Sequence, residues 1–465
     1  MQAARCRSDA TDDAYLTAPA RACARAPATG CHALKTPSAT GTAPASQLTR
    51  GDYKTLGLSA LGGALEFYDF IIFIFFATVL GELFFPPGIP DWMRQLQTFG
   101  IFAAGYLIRP LGGIVMAHFG DLLGRKRMFA LSIGLMALPT LAIGVLPTYA
   151  QIGLAAPLLL LTMRLLQGAA IGGEVPSAWV FVAEHVPAQR RGLACGTLTA
   201  GLAAGVLLGS LSAGAINRAF TPQEIADYAW RLPFLAGGLF GLLSVYLRRW
   251  LHETPVFAEL MAMRAVARET PLKLVLRDHP RSVAQSLWLT WMVAAGVLVV
   301  SLMTPTLLQS AYHYPAAVAL QANLLAVLLQ AVGSIVAGAL SDRCGNGRVL
   351  LAGSVFLGAS AWLFYRLAGD PQLLFPLYAL LGAALGVLGA VPRVMVEAFP
   401  PVVRLSGVSF AYNLGYAVFG GLTPLVVVML LKQHPMGPAY YMILLAAIGS
   451  VIGLQLWRRE RVRRY

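Results

Sequence analysis

The sequence predicts an all-α membrane protein, with twelve transmembrane helices in two pseudo-symmetric six-helix halves. Three observations carry that expectation. The 465 residues are 57% hydrophobic and only 12% charged, roughly half the charged share of a soluble domain, which leaves too little polar surface to cover a water-soluble globule of this size. Twelve apolar stretches of about 20 to 30 residues follow one another, each long enough to cross a ~30 Å hydrocarbon layer. Two polar motifs then recur, in the same order, in both halves of the chain.

Residues 1–54 are rich in Ala, Thr, Pro and Arg, lack any helical or strand period, and contain no apolar run suited to a signal peptide. They are expected to form a disordered cytoplasmic tail. The spans fall near 56–83, 97–119, 127–147, 152–183, 193–216, 230–250, 282–310, 316–340, 348–368, 371–396, 405–431 and 436–457. The first six make an N-terminal half, 55–250, and the last six a C-terminal half, 282–457. Between them lies the longest polar interruption, 251–281, read as a cytoplasmic central loop, and 458–465 is read as a basic cytoplasmic C-terminal tail.

Charge orients this bundle. An even number of spans puts both termini on one side. With that side taken as cytoplasmic, the inner loops and C-terminal tail hold 20 Lys and Arg while the outer loops hold five. The asymmetry predicts cytoplasmic termini, by the positive-inside rule. The net charge of +14 is then a record of topology and calls for no nucleic-acid partner. The five cysteines show no metal-binding spacing, so no metal or cofactor is expected. All seven histidines lie in loops, tails or span ends, which leaves no nucleophile with its base inside the bundle and argues against an enzyme.

The loop after span 2 reads Asp121-Leu-Leu-Gly124-Arg125-Lys126-Arg127, and the loop after span 8 reads Asp342-Arg343-Cys-Gly345-Asn346-Gly347-Arg348. Past span 4 comes Glu184-x-x-Pro187-x-x-x-Arg191, and past span 10 Glu397-x-x-Pro400-x-x-x-Arg404. The offsets, 221 and 213 residues, indicate duplicated halves with a site between them near the midplane, the layout of an alternating-access carrier.

On these residues the chain, from about 56 to 458, resembles the major facilitator superfamily. More specific markers are similar to its metabolite:proton symporter branch. They are Glu66-Phe-Tyr68-Asp69-Phe70 in span 1, Arg109-Pro110-Leu-Gly112 in span 2, and Arg164-Leu-Leu-Gln167-Gly168-x-x-x-Gly172-Gly173-Glu174 in span 4, then Glu253-Thr254-Pro255-x-Phe257 in the central loop and Tyr412-Asn413 with Phe419-Gly420-Gly421-x-Thr423-Pro424 in span 11. The first cytoplasmic motif departs from the family pattern, with Ala117 where Gly is usual and Leu122 where a basic residue is usual. The second copy keeps both, as Gly338 and Arg343. The resemblance implies the fold and the substrate range: organic acids such as citrate, 2-oxoglutarate or shikimate, or zwitterions such as proline and betaine.

Six ionisable residues fall inside spans: Glu66, Asp69, Glu174, Arg109, Arg164 and Arg393. A lone charge at a helix centre costs roughly 2.5 to 3.5 kcal/mol, so three acids and three arginines are expected to form a paired interior network. Asp69 is the expected proton-coupling site with Glu66, three residues away on the same helix face, as its partner. Arg109 or Arg164 supplies the counter-charge, and Glu174 joins the network. Tyr68, Arg164, Gln167, Trp291, Tyr412, Asn413 and Tyr416 are the expected substrate contacts. A guanidinium fork suits a carboxylate, and aromatic and amide groups in spans 7 and 11 are placed to line a cavity. The repeated motifs are expected to form a cytoplasmic gate from Asp121, Gly124, Arg125, Lys126, Glu184, Arg191, Asp342, Arg343, Arg393, Glu397 and Arg404, holding the inside closed while the outside is open. Glycines 168, 172 and 173 in span 4, and 201, 205 and 209 in span 5, are expected to mark close helix packing.

The expected function is proton-coupled symport of a small organic acid or zwitterion by a monomer in the lipid bilayer. Span 5 lacks the Gly-Pro step typical of the superfamily's drug:proton antiporters, which favours uptake. A proton-driven exporter and a transport-inactive membrane sensor are the rival readings.

Overall fold

Twelve helical spans follow one another in the computed structural model, which describes residues 48–248, 250–262 and 270–462. They are α1 (Arg50–Phe75), α2 (Trp92–Leu123), α3 (Arg125–Val145), α4 (Ala155–His185), α5 (Ala188–Ala219), α6 (Arg231–Arg248), α7 (Pro280–Ser310), α8 (Ala316–Cys344), α9 (Asn346–Leu367), α10 (Pro371–Glu397), α11 (Pro401–Gln433) and α12 (Gly437–Val462). Eleven are long and apolar enough to span on their own. The sixth is a broken span, in which a short helix, Pro222–Ala229, meets α6 at 44°. No strand occurs among the described residues.

Local chemistry moves two of the expected boundaries. The first helix begins at Arg50, before the boundary expected at 54. Thr49 accepts from the Asp52 amide at 3.2 Å and the Asp52 carboxylate accepts back from the Thr49 amide at 2.7 Å, a capping box that fixes the start. The last helix continues through Val462, into the stretch expected to be a tail. The disorder expected of residues 1–47 lies outside the described residues. The central loop contains two short helices, Pro255–Ala262 and Pro271–Asp278, each opened by a proline whose fixed φ and missing N–H suit a helix start.

Small residues set how closely the spans approach. A Cβ at Gly168 or Gly172 of α4 would overlap backbone atoms of Gly105 and Arg109 in α2. The Gly201, Gly205, Gly209 row of α5 lies likewise on Ala60, Ala64 and Ile71 of α1, as small-residue interfaces in lipid require. The two halves meet along α2 with α11 and along α5 with α8.

Four spans break near the middle. In α2 the helix pauses at Ile108, ahead of Pro110, which has no N–H to give the preceding turn. The spans α7 and α11 each take a π-helical turn, at Leu298–Met303 and Tyr416–Gly420, and α10 tightens to a 3₁₀ turn at Gly386–Ala390. Such irregular backbone survives at membrane depth only where protein or a cavity surrounds it, and π turns gather at functional positions.

Candidate functional site

Away from the repeated motifs, the buried charges of the N-terminal half sort into three sets. Glu174 of α4 is bound by Arg248 of α6, with Nη2 at 2.7 Å from Oε1. Ser132 of α3 donates to the same carboxylate. Arg248 also donates to the Phe129 carbonyl at 2.5 Å and lies 3.6 Å over the Phe129 ring.

The second set is a chain. Arg164 donates to Gln167 at 2.9 Å, Gln167 donates to the Thr140 hydroxyl at 2.7 Å, and Thr140 donates to Asp69. The Thr140 hydroxyl has a second acceptor, the Met136 carbonyl at 2.8 Å. Arg164 itself lies 4.2 Å over the ring of Phe73, an electrostatically favourable site for a cation. Asp69 is thus linked to its counter-charge through neutral polar groups, and one oxygen, Oδ1, remains buried without a partner.

The third set is Glu66 and Arg109, which are 1% and 4% exposed. Both carboxylate oxygens of Glu66, and Nε and Nη2 of Arg109, lack a hydrogen-bond partner. The guanidinium is caged by Tyr416, Tyr106 and Tyr412, whose ring centres lie at 4.8, 5.3 and 5.8 Å.

These last two residues line a cavity between the halves. Its walls include Phe67, Tyr106, Val297, Leu302 and Tyr416. A second cavity shares Phe67, Val206, Val297 and Tyr416 with it and reaches Trp179, Gln330 and Tyr412. The space sits where α2, α7 and α11 lose helical regularity.

On one face of the bundle the repeated motifs interlock reciprocally. Asp121, ending α2, accepts from the Ser406 amide at the start of α11 at 2.9 Å. Asp342, ending α8, accepts from the Gly192 and Leu193 amides at the start of α5, both at 2.8 Å. Carboxylates at helix N-termini are stabilised by the unpaired amides and the helix dipole. Glu184 takes Arg404 of the other half at 2.7 Å and also pairs with Arg125. Arg125 lies 3.6 Å from Asp121 and donates to the Pro401 carbonyl at 2.6 Å. In the second copy Arg393 bridges Asp342 and Glu397, at 2.8 and 3.0 Å. Asn346 stands where the repeat has Arg125 and donates to Glu397 at 3.2 Å. Gly124 and Gly345 take positive φ values of 117° and 93°, a backbone that L side chains avoid. Each turns the chain so that the next helix start meets a carboxylate: the Lys126 amide donates to Glu253 at 3.2 Å, and the Gly347 amide to Glu460 at 3.2 Å.

The expected residues are therefore redistributed. Glu66 and Asp69 do not form one pair, because Glu66 lines the cavity while Asp69 binds Thr140 within the N-terminal half. Of the expected substrate contacts, Tyr412 and Tyr416 line the cavities. Neither cavity is lined by Tyr68, Arg164, Gln167, Trp291 or Asn413, each of which has a hydrogen bond within the protein. Tyr68 donates to the Pro233 carbonyl at 3.0 Å, Trp291 to Tyr441 at 2.8 Å, and Asn413 to the Gly172 carbonyl at 2.6 Å. Among the gate residues, Arg191 donates to the Ala183 carbonyl at 3.0 Å within its own half, and Arg343 is exposed. Arg393 belongs to the latch of repeated motifs and not to the interior. Its place in the interior balance is taken by Arg248, which sequence reasoning missed because it ends a span beside Arg249 and reads as an inner-loop cation.

Two duplicated halves, a chamber between them and a reciprocal latch on one face define a secondary transporter. The Major Facilitator Superfamily model matches residues 71–329. The citrate-proton symporter of Klebsiella pneumoniae is 33% identical, over 86% of this chain and 91% of its own length. The glycine betaine/proline/ectoine/pipecolic acid transporter of Dickeya dadantii is 32% identical, over 86% and 82%, and the proline/betaine transporter of Salmonella typhimurium 31%, over 87% and 83%. Among solved structures, a proton:xylose symporter bound to 6-bromo-6-deoxy-D-glucose superposes with a TM-score of 0.74 at 16% identity, covering 88% of this chain and 95% of that one. The chain belongs to the Major Facilitator Superfamily, in its metabolite:proton symporter branch.

Proposed function

We propose that the protein is a proton-coupled symporter that brings a small organic acid or zwitterion inward by alternating access, with Asp69 as the proton site. The observation that carries this reading is the chain from Arg164 through Gln167 and Thr140 to Asp69. A carboxylate touching a cation directly stays ionised, and one with no counter-charge stays protonated. Asp69 stands between those limits, buried and linked to Arg164 only through neutral groups, so it can load and release a proton as the cavity changes sides. The printed activities of the relatives, proton symport of citrate and transport of proline and betaine, support the same reading. So does the closed latch, which holds one face shut while the other admits solute.

The carrier is read as a monomer in the bacterial inner membrane, its termini cytoplasmic, with solute and proton as its partners. The test is uptake into right-side-out vesicles under an imposed pH gradient. Wild type is expected to accumulate solute when the outside is acidic, and Asp69→Asn to lose that accumulation while still exchanging solute down its own gradient. Gradient-driven accumulation by Asp69→Asn at the wild-type level removes Asp69 from this role, and accumulation in everted vesicles only would identify an exporter.

A further inference from the structure

Glu174 is neutralised by Arg248 and Asp69 is linked to Arg164, which leaves one acid and one base, Glu66 and Arg109, facing the same cavity. Both are more than nine-tenths buried. Each keeps polar atoms without a hydrogen-bond partner, two on either side. They form no ion pair with each other within 4.0 Å among the described residues, and both line the same cavity. Buried polar atoms left bare cost about 1 to 3 kcal/mol each, and more when charged, and a site retaining four of them is shaped for something that supplies the complement.

We propose that the transported solute is a small zwitterion, its carboxylate on Arg109 and its ammonium on Glu66. This deepens the symporter reading and rests on it. Three features of the cavity carry the choice over a di- or tricarboxylate. Its two charged lining groups are opposite in sign, and no other Asp, Glu, Lys or Arg lines either cavity. A solute with two or three carboxylates would set one against Glu66 or against the apolar wall of Val297, Leu298 and Leu302, where an ionised group is strongly disfavoured. The guanidinium is clamped between Tyr106, Tyr412 and Tyr416, which leaves Nε and Nη2 for one bidentate carboxylate. A zwitterion satisfies both residues and adds no net charge to the chamber.

The test uses the full-length protein in lipid nanodiscs, with glycine betaine, L-proline, citrate and 2-oxoglutarate as probes in titration calorimetry at neutral pH. At least one zwitterion is expected to bind about tenfold or more tightly than either carboxylate. Glu66→Gln is expected to weaken zwitterion binding by about tenfold or more, with the thermal unfolding midpoint reporting whether the variant is folded. The wild-type ranking needs no variant and stands if Glu66→Gln fails to fold. Tighter binding of citrate or 2-oxoglutarate, absence of binding by both zwitterions, or unchanged zwitterion affinity in folded Glu66→Gln overturns the proposal. Vesicle uptake separates its failure from that of the symporter reading. A carboxylate accumulated on a pH gradient overturns the zwitterion and leaves symport standing. A zwitterion that binds but ignores the gradient overturns symport and supports the zwitterion site.

Discussion

At the scale of single residues, the interior charges differ in what they are free to do. Arg248 and Glu174 are each 1% exposed and in direct contact, so neither can be lost without leaving the other uncompensated. Arg248→Met is expected to destabilise the protein by ~3–5 kcal/mol, read as a fall in the thermal unfolding midpoint. Adding Glu174→Leu is expected to recover most of that loss, since an apolar pair of similar volume tolerates burial better than half an ion pair. Glu66 and Arg109, which line the cavity and keep unpartnered polar atoms, are expected to fail differently, in binding before stability. Which arginine meets which acid was not legible in the sequence. Helical spacing puts Glu66 and Asp69 on one face, but a face about 60° wide can look into two neighbourhoods, and here Asp69 meets α3 while Glu66 meets the cavity.

At the scale of elements, the glycines of α4 govern where Arg109 sits. Gly172 lies against the Arg109 backbone, and Asn413 of α11 donates to the Gly172 carbonyl at 2.6 Å. A side chain at this point must push α2 from α4 and loosen α11 at once. Gly172→Leu is therefore expected to abolish uptake and to lower the unfolding midpoint, the overpacking alone costing ~1–3 kcal/mol; unaltered transport would show that the three helices have slack. The spans themselves were the most legible part of the chain, because length and apolarity answer directly to bilayer thickness. Helix ends were less so, since Thr49 and Asp52 decide the first one by a local hydrogen-bonded box inside a stretch of tail-like composition. The breaks in α7 and α11 carry no proline at the π turns themselves, and no periodicity announces them.

At the scale of the whole molecule, the duplicated motifs close one face with two latches of unequal make. The first buries Asp121, Arg125 and Glu184 and ties Glu184 to Arg404 across the halves. The second has Asn346 in place of the arginine and a bridging Arg393 that is 15% exposed. Removing the cross-half pair with Glu184→Gln is expected to shift the population toward a state open on the latched face. A pair of labels on the latched ends of α2 and α11 would report it as a longer distance in solute-free protein. A distance unchanged from wild type would show that the helix-end carboxylates, Asp121 and Asp342, suffice to hold the face shut. The latch was readable in outline from the repeated spacing, because reciprocal motifs have to meet if the halves are related by a twofold axis. Its inequality was visible in a few letters, Asn346 for an arginine and Arg393 with no counterpart in the first copy.

The pairing of the interior has an electrical side. With Glu66 and Asp69 both ionised, these two and Glu174 balance Arg109, Arg164 and Arg248, so the returning empty carrier moves no net charge through the membrane field. Under the proposed coupling, loading a proton and a zwitterion leaves one positive charge in the moving part. At an inside-negative potential that charge is drawn inward, by ~2.3 kcal/mol per 100 mV if it crosses the full field. The voltage therefore acts on the loaded step alone, and uptake is expected to carry an inward current that grows with the membrane potential.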